Sequence, residues 1–232
     1  MNLLSVIIPV YNEEKTVKEI ISRVRKDVKV AKEIIVVDDG SHDNTRIILN
    51  ECKNLWPEEV CVFLHSHNQG KGAAVKKGLK EAKGDYAVIQ DADLEYDPKD
   101  INTMAAAFYN GQGDIIYGSR NLVQHTHSGW IPYLGVWFVT QLLNWMYGLK
   151  LTDAWTCYKL FPRRVWLDFV AGGFEAELLF TAALVRKGFK IVEVPISYHP
   201  RKFSEGKKIT YRDGLRAIWT LVVDWWCSFR RR

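Results

Sequence analysis

The chain has 232 residues, of which 47% are hydrophobic and 25% are charged, and its formal net charge is +5. This length and apolar content suffice for a folded core in one domain, or in one domain with an appendage, and exclude a disordered chain. Basic residues crowd toward the end of the chain, which indicates an anionic partner there. The four cysteines form no CxxC pair and no zinc-ligand spacing, so we expect buried free thiols and a reducing compartment.

Apolar runs rich in β-branched residues alternate with amphipathic stretches in the first half of the chain. The runs predict strands at Leu4–Val10, Glu33–Asp38, Val60–Ser66, Asp85–Gln90 and Asp114–Gly118. The stretches predict helices at Glu13–Lys26, Asn44–Leu55, Lys71–Lys83 and Lys99–Tyr109. The first run lacks the basic flank and cleavage site of a secretion signal, so we interpret it as a strand. The alternation predicts an α/β fold with a mostly parallel, doubly wound sheet.

Polar clusters follow the first four predicted strands, at the edge where open parallel sheets bind ligands. They are Tyr11–Glu14, Asp38–Ser41, Asn68–Gly72 and Asp91–Glu95. Because the carboxyl ends of parallel strands meet at one edge, the clusters predict a single shared site. Asp39 is a candidate acceptor for a hydrogen bond from a base or ribose, and Gly40 lets the chain turn close to a ligand. A plain Asp-Gly turn is the alternative.

The fourth cluster places two carboxylates, Asp91 and Asp93, one residue apart. In an extended backbone they would point to the same side and could converge on one divalent cation and its diphosphate, with Glu95 in reach. Mg²⁺ and Mn²⁺ prefer such oxygen ligands. A polar turn at the end of the strand is the alternative, since aspartate favours turns.

The third cluster opens a helix, so we expect its N–H groups and Lys71 to face a phosphate. Gly70 and Gly72 follow the third strand rather than the first, and a third glycine is absent. This spacing argues against the dinucleotide fingerprint of a nicotinamide dehydrogenase. The sequence contains no Walker motif either.

Two segments of the second half are rich in apolar and aromatic residues. Residues 121–149 contain no Asp, Glu, Lys or Arg, but Pro132 and Gly135 interrupt them, which argues against a bilayer span of about 20 apolar residues. An interface segment at 129–149 or an ordinary core helix remain the alternatives. Residues 209–232 predict an amphipathic helix with a basic tail, which would lie on an anionic leaflet or pack onto the protein. Its apolar stripe comprises Leu215, Ile218, Trp219, Val222, Val223, Trp226 and Phe229.

The motifs together carry a family resemblance across nearly the whole chain. They are Val6–Glu13, Val36–Ser41, Asn68–Gly72, Asp91–Asp93, Tyr117–Arg120, Leu151–Asp153, Tyr158–Lys159, Phe174–Glu177 and Val194–Tyr198. They resemble family 2 glycosyltransferases and, more narrowly, the dolichol- and polyprenyl-phosphate mannosyl- or glucosyltransferases. The resemblance implies an A-type glycosyltransferase fold, a nucleotide-diphosphate sugar donor such as UDP-glucose or GDP-mannose, a Mg²⁺ or Mn²⁺ ion, and inversion at the anomeric carbon.

The resemblance also implies roles for single residues. The donor would be bound by Pro9, Tyr11, Glu13, Val37, Asp39, Lys71, Asp91 and Ala92. The metal would be held by Asp91, Asp93 and Glu95, and the catalytic residues would be Asp93, Arg120 and Asp153. The acceptor phosphate would be bound by Arg120, Arg201, Lys207 and Lys208. The last three belong to a basic acceptor loop at 199–208, for which a solvated charge run is the alternative.

Asp153 falls where some relatives are thought to keep a catalytic base. A lipid monophosphate has a second pKa of about 6 by analogy with phosphorylated side chains, so its oxygen is mostly ionised at neutral pH and needs no strong base. We therefore expect Asp153 to orient the acceptor or the sugar, while cations around the phosphates supply most of the rate. Asp153→Asn should retain more activity than Asp93→Asn.

The resulting hypothesis is a catalytic domain at 1–208 that transfers mannose or glucose to polyprenyl or dolichyl phosphate. It places the protein peripherally on the cytoplasmic face of a membrane, with a membrane-anchoring subunit as a candidate partner and no nucleic acid. Two alternatives are a family 2 transferase with a soluble or glycan acceptor and a catalytically silent nucleotide-sugar binding module.

Overall fold

A computed structural model of the chain describes residues 2–123, 130–170, 172, 175–201 and 211–229. Within these residues, the strands are β1 Leu4–Val10, β2 Lys32–Asp38, β3 Val60–Leu64, β4 Tyr86–Ile89, β5 Ile115–Ser119, β6 Lys159–Pro162 and β7 Ile191–Pro195. The α-helices are α1 Val17–Asp27, α2 Thr45–Leu55, α3 Lys71–Glu81, α4 Asp100–Tyr109, α5 Trp130–Tyr147, α6 Ala176–Arg186 and α7 Tyr211–Phe229. The five predicted strands and four predicted helices are all present, with ends that differ by a few residues.

The strands form one sheet in the order β3-β2-β1-β4-β6-β5-β7. β1 pairs in parallel with β2 and β4, β2 with β3, and β5 with β7. β6 runs antiparallel between β4 and β5. The prediction of a mostly parallel α/β sheet is confirmed, but the parallel order is broken by β6, which the sequence pattern did not predict.

Strand β1, which lies inside the sheet between β2 and β4, fixes the position of the sheet edge where the polar clusters lie. Ile7 is fully buried and lies opposite Ile35 of β2 and Ile89 of β4. Helix α3 packs closely on this strand at Gly78, where an added Cβ would lie 2.6 Å from a methyl group of Ile7. Lys71, the first residue of α3, is thereby held beside the chain that leaves β4.

Helices α5 and α7 lie against each other, each with one packed side and one exposed side. The packed sides include Val139, Leu143, Ala217 and Leu221. Tyr147 of α5 donates a hydrogen bond to Asp224 of α7 over 3.1 Å. The exposed sides carry large apolar side chains, namely Leu134, Trp137, Phe138, Trp145, Trp219, Val222, Val223 and Trp226.

Most of the apolar stripe predicted for the C-terminal helix is therefore exposed rather than packed. Gly129, the side chains of Leu215 and Phe229, and the tail Arg230–Arg232 lie outside the described residues. Among the helices that the structure describes, none combines the length and the apolar character that crossing a bilayer requires.

The prediction that the cysteines are buried free thiols is wrong for two of the four. All four thiols are free, and Cys52 and Cys157 are buried. Cys61 and Cys227 are exposed. Cys61 lies on β3, which is an edge strand with one paired neighbour, and Cys227 lies near the end of α7. The sequence pattern of single cysteines carries no information on these neighbours.

Candidate active site

Carboxylates from two different strand ends meet around the guanidinium group of Arg201. Its two terminal nitrogens lie 3.3 Å from the carboxylate oxygens of Glu13, which follows β1. One of these nitrogens is also 3.1 Å from Asp93 Oδ2, beyond β4. Glu95 accepts a hydrogen bond from the backbone N–H of Arg201 over 2.9 Å. The structure thus assembles Glu13, Asp93, Glu95 and Arg201 at one sheet edge, as predicted from the strand ends.

The backbone after β4 differs from the extended segment that the sequence predicted. β4 ends at Ile89, residues 92–93 form a turn, and Leu94 adopts a left-handed conformation with φ of 63°. Simple alternation therefore does not place Asp91 and Asp93 on the same side. The turn is closed locally, because the Glu95 N–H donates to Asp93 Oδ1 over 3.1 Å. The assumption of alternating side chains was wrong, although the two carboxylates remain close enough to interact.

The chemistry of this edge fits a divalent metal. Burial, together with the charges of Asp91 and Glu95, raises the pKa of Asp93 to about 7. An added cation would relieve this repulsion, and carboxylate oxygens are the ligands that Mg²⁺ and Mn²⁺ prefer. In the described ranges, however, no group of three or more His, Cys, Asp or Glu side chains is arranged to hold a metal. Asp91 pairs with Lys71, while Asp93 and Glu95 share Arg201, so the three predicted ligands face the protein's own cations and their metal-binding role stays a prediction.

Lys71 lies between two carboxylates rather than in the open. Its Nζ is 2.7 Å from Asp91 Oδ1 and 2.8 Å from Glu177 Oε1. It also donates to the sulfur of Cys157 over 3.4 Å. Burial opposes the charge, but these three neighbours together hold the pKa of Lys71 well above its usual value. The predicted contact with a phosphate stays a prediction.

The partner of Lys71, Glu177, was not among the predicted site residues. Glu177 lies in the first turn of α6 and also contacts Lys159, with 3.2 Å between Oε2 and Nζ. Lys159 is fully buried and donates to the carbonyl of Thr156. Both residues stand inside segments that carry the family resemblance, Tyr158–Lys159 and Phe174–Glu177, so their place in these motifs was the available signal.

Arg120 and Asp153 form a two-pronged ion pair. Arg120 Nε lies 2.7 Å from Asp153 Oδ2, and a terminal nitrogen lies 2.8 Å from Oδ1. Burial alone would raise the pKa of Asp153, but the guanidinium charge and its hydrogen bonds lower it below the usual value. The Asp153 side chain is 0% exposed, and that of Arg120 is 16% exposed. Asp153 is therefore placed to orient Arg120 rather than to reach a substrate directly.

Two further residues that sequence reasoning missed support this pair. Glu193 of β7 accepts hydrogen bonds from the backbone N–H groups of Thr152 and Asp153 over 2.7 and 2.8 Å. Tyr198 lies under the Arg120 guanidinium, 5.1 Å from ring centre to carbon, and donates to Glu95 over 2.7 Å. Tyr198 thus connects the cation of Arg120 with the acidic edge around Arg201.

Asp39 anchors the loop after β3. Its carboxylate accepts hydrogen bonds from the N–H groups of Gln69 and Gly70 over 3.0 and 2.8 Å, and lies 2.7 Å from His65 Nδ1. Gly40 has φ of 78°, and an added Cβ would lie 2.5 Å from the Asn68 nitrogen. The close approach at Gly40 is to the protein's own loop, and the predicted approach to a ligand stays a prediction.

The remaining predicted residues are placed as follows. Tyr11 follows β1 and meets the ring of His42 edge-on at 6.5 Å. Pro9 is half-buried in β1, and Val37 and Ala92 are buried. Lys207 and Lys208 lie outside the described residues, so the acceptor loop is represented by 199–201 alone.

A comparison with known families decides the assignment. Residues 5–166 match the model of glycosyl transferase family 2. The chain belongs to this family. The matched range contains the strand ends that carry Glu13, Asp39, Asp93 and Arg120, as well as Asp153.

Several named proteins are similar to the chain in sequence. Undecaprenyl-phosphate 4-deoxy-4-formamido-L-arabinose transferase of Proteus mirabilis is 25% identical over 210 residues, covering 89% of this chain and 63% of that protein. The low-salt glycan biosynthesis hexosyltransferase Agl6 of Haloferax volcanii is 28% identical over 232 residues, covering 95% and 53%. Dolichol-phosphate mannosyltransferase of Pyrococcus furiosus is 41% identical over 118 residues, covering 50% and 33%. The chain thus spans less than two thirds of each relative.

Solved structures agree with the family assignment at the level of the fold. Glucosyl-3-phosphoglycerate synthase of Mycobacterium tuberculosis, in complex with Mn²⁺, UDP and phosphoglyceric acid, matches with a TM-score of 0.74 and 20% identity. The match covers 97% of this chain and 78% of that one. A complex of the same enzyme with Mg²⁺ and UDP matches with a TM-score of 0.72 and 21% identity. The predicted A-type glycosyltransferase fold is confirmed.

Proposed function

We propose that this family 2 member transfers a hexose from a nucleotide-diphosphate sugar, UDP-glucose or GDP-mannose, to a polyprenyl or dolichyl phosphate. The observation that carries the proposal is the acidic edge of Glu13, Asp93 and Glu95, closed by Arg201 and flanked by Arg120. Paired carboxylates suit a metal-bound diphosphate, and arginines suit phosphate oxygens because of their forked geometry. The relatives that act on lipid phosphates support the choice of acceptor.

Asp93 is the residue best placed to hold a divalent metal, with Asp91 and Glu95 beside it, and that ion would neutralise the charge that develops on the leaving diphosphate. Arg201 and Arg120 would bind phosphate oxygens on the donor and acceptor sides. The acceptor phosphate is already mostly ionised at neutral pH. No residue has to remove a proton, which agrees with the buried position of Asp153 behind the Arg120 side chain.

The proposal includes a membrane surface as the place of reaction, on the cytoplasmic face. The lipid acceptor would approach from the side of α5 and α7, whose exposed tryptophans Trp137, Trp145, Trp219 and Trp226 suit the headgroup region. The division into a catalytic part, 1–208, and a C-terminal helix, 209–232, belongs to the same proposal, as does a membrane-anchoring subunit as partner.

A panel of radiolabelled UDP- and GDP-sugars tests this function. Each donor is incubated with polyprenyl phosphate in detergent, with and without Mn²⁺, and label that enters the organic phase is counted. We expect transfer from one donor, dependent on the metal and lost in Asp93→Asn. Glu51→Gln is the matched control, because Glu51 is an exposed acid paired with Lys18 on the surface. Donor hydrolysis without transfer to lipid would favour a soluble acceptor, and the absence of donor binding would favour a silent module.

A further inference from the structure

We propose that Glu177 is a positioning residue for the donor sugar, because it fixes the Lys71 ammonium group that in turn holds Asp91. This inference rests on the proposed function, in which Asp91 binds the donor. It adds a residue on α6 to a donor site otherwise built from the ends of β1, β2 and β4 and the start of α3. The groups involved form a network of alternating charge, in the order Asp91, Lys71, Glu177 and Lys159.

In this network, each carboxylate oxygen of Glu177 contacts a different cation. Oε1 lies 2.8 Å from Lys71 Nζ, and Oε2 lies 3.2 Å from Lys159 Nζ. The same Lys71 ammonium lies 2.7 Å from Asp91 Oδ1. A lysine ammonium is a compact charge on a flexible stem, so a single carboxylate leaves its position loosely defined. Two carboxylates, at 2.7 and 2.8 Å, restrict its position further, and Asp91 gains a held partner.

The burial of these groups explains why the arrangement bears on function as well as on stability. Lys159 is 0% exposed, and Glu177 is an acid within ion-pair distance of its ammonium group. Asp91, at the outer end of the network, is 20% exposed. The inner pair, Glu177 and Lys159, therefore belongs to the core, whereas the outer pair ends at the edge where the sugar would bind. Glu177 is the member shared by both pairs.

A pair of variants separates positioning of the donor site from simple charge compensation. Glu177→Gln removes the carboxylate charge that faces both lysines. Lys159 is then a buried cation without its ion-pair partner, which is strongly destabilising. Adding Lys159→Met removes that cation, so the double variant should regain most of the lost melting temperature. It cannot restore the contact between Lys71 and a second carboxylate. We therefore expect the donor KM to stay raised by about tenfold in both variants, the effect of one lost charged contact.

The measurements are the melting temperature and the separate KM values for nucleotide sugar and for polyprenyl phosphate, with Glu51→Gln as control. The acceptor KM should stay within about twofold of wild type, since Glu177 contacts the donor side. If the double variant does not fold, Glu177→Asp replaces it, because it keeps a charge for Lys159 and shortens the reach to Lys71. Its donor KM should also rise.

The possible results distinguish this inference from the proposed function. A donor KM that returns to the wild-type value together with the melting temperature would overturn the inference and leave Glu177 as a counter-ion of Lys159. Equal increases in donor and acceptor KM would overturn it as well, since they indicate general disruption of the site. Wild-type protein that binds none of the nucleotide sugars would overturn the proposed function, and the inference with it.

Discussion

Replacing Asp153 with asparagine tests whether this residue acts through Arg120. The substitution keeps the size of the side chain and removes the charge that faces the guanidinium group over 2.7 and 2.8 Å. Removing one partner of a buried ion pair costs about 3–5 kcal/mol, because the other charge is left without compensation. Arg120 retains 16% exposure, so we expect the low end, about 3 kcal/mol. For a protein of this size, that lowers the melting temperature by about 6–12 °C.

The difference in melting temperature between wild type and Asp153→Asn depends on pH with a definite sign. The folded protein holds the pKa of Asp153 below its usual value, through the charge and hydrogen bonds of Arg120 and against the effect of burial. The ion pair therefore contributes its full stability above the unfolded pKa, about 3.9. This contribution is lost as the pH falls through the lower, folded pKa. The melting temperatures of wild type and Asp153→Asn should differ most at pH 7 and converge below pH of about 4.

Thermal unfolding followed by circular dichroism, at pH 7 and in steps down to pH 3, measures the loss in melting temperature and its dependence on pH. The control is Glu51→Gln, which removes one member of an exposed pair and should change stability by less than about 0.5 kcal/mol. Transfer assays on the same samples should leave Asp153→Asn more active than Asp93→Asn. A melting temperature like that of the control, or a difference independent of pH, would refute the role of Asp153 as the buried partner of Arg120.

Three further changes follow from the geometry. Arg201→Gln should tighten Mn²⁺ binding to the donor-free protein by about tenfold, because the substitution removes a cation that competes for the carboxylates. Mn²⁺ titration followed by EPR measures the affinity, and weaker binding than in wild type would contradict this expectation. Gly40→Ala should lower both the melting temperature and nucleotide affinity more than Gly111→Ala, because both glycines have positive φ but a Cβ meets other atoms at Gly40 only; equal effects would count against the loop contact. Trp145→Ser and Trp219→Ser, at side chains 75% and 71% exposed, should leave stability unchanged and reduce co-sedimentation with anionic vesicles, whereas unchanged sedimentation would argue against the membrane surface.

The strands that the sequence predicted are those whose signal is local. β1, β2 and β4 are short apolar runs that are buried on both faces, so composition alone identifies them. β6 has four residues and begins with Lys159, a buried charged side chain that pairs with Glu177 of helix α6. Its antiparallel direction depends on pairing with β4 and β5, which no local pattern encodes.

In the candidate site, too, the sequence predicted several of the residues that lie there but not the partners with which they pair. The strand-end positions of Glu13, Asp93 and Arg120 followed from the parallel sheet, and these residues do lie at one edge. Their partners did not follow, because the ion pair between Glu13 and Arg201 joins residues 188 positions apart in the sequence. The alternation argument failed at Asp91 for a local reason, namely that the backbone turns directly after β4.

The three cations at the donor edge differ in how firmly the protein holds them, and this difference bears on which of them binds a phosphate. Moving Arg120 would leave the fully buried Asp153 without its cation, which is costly. Lys71 is held by two carboxylates at 2.7 and 2.8 Å. The side chain of Arg201 forms longer contacts, 3.1 and 3.3 Å, and stands where the predicted acceptor loop begins. Because its contacts are the longest of the three, we expect Arg201 to leave its carboxylates at the lowest cost. A bound metal would then take over those carboxylates and a bound diphosphate the guanidinium group, as the proposed function requires.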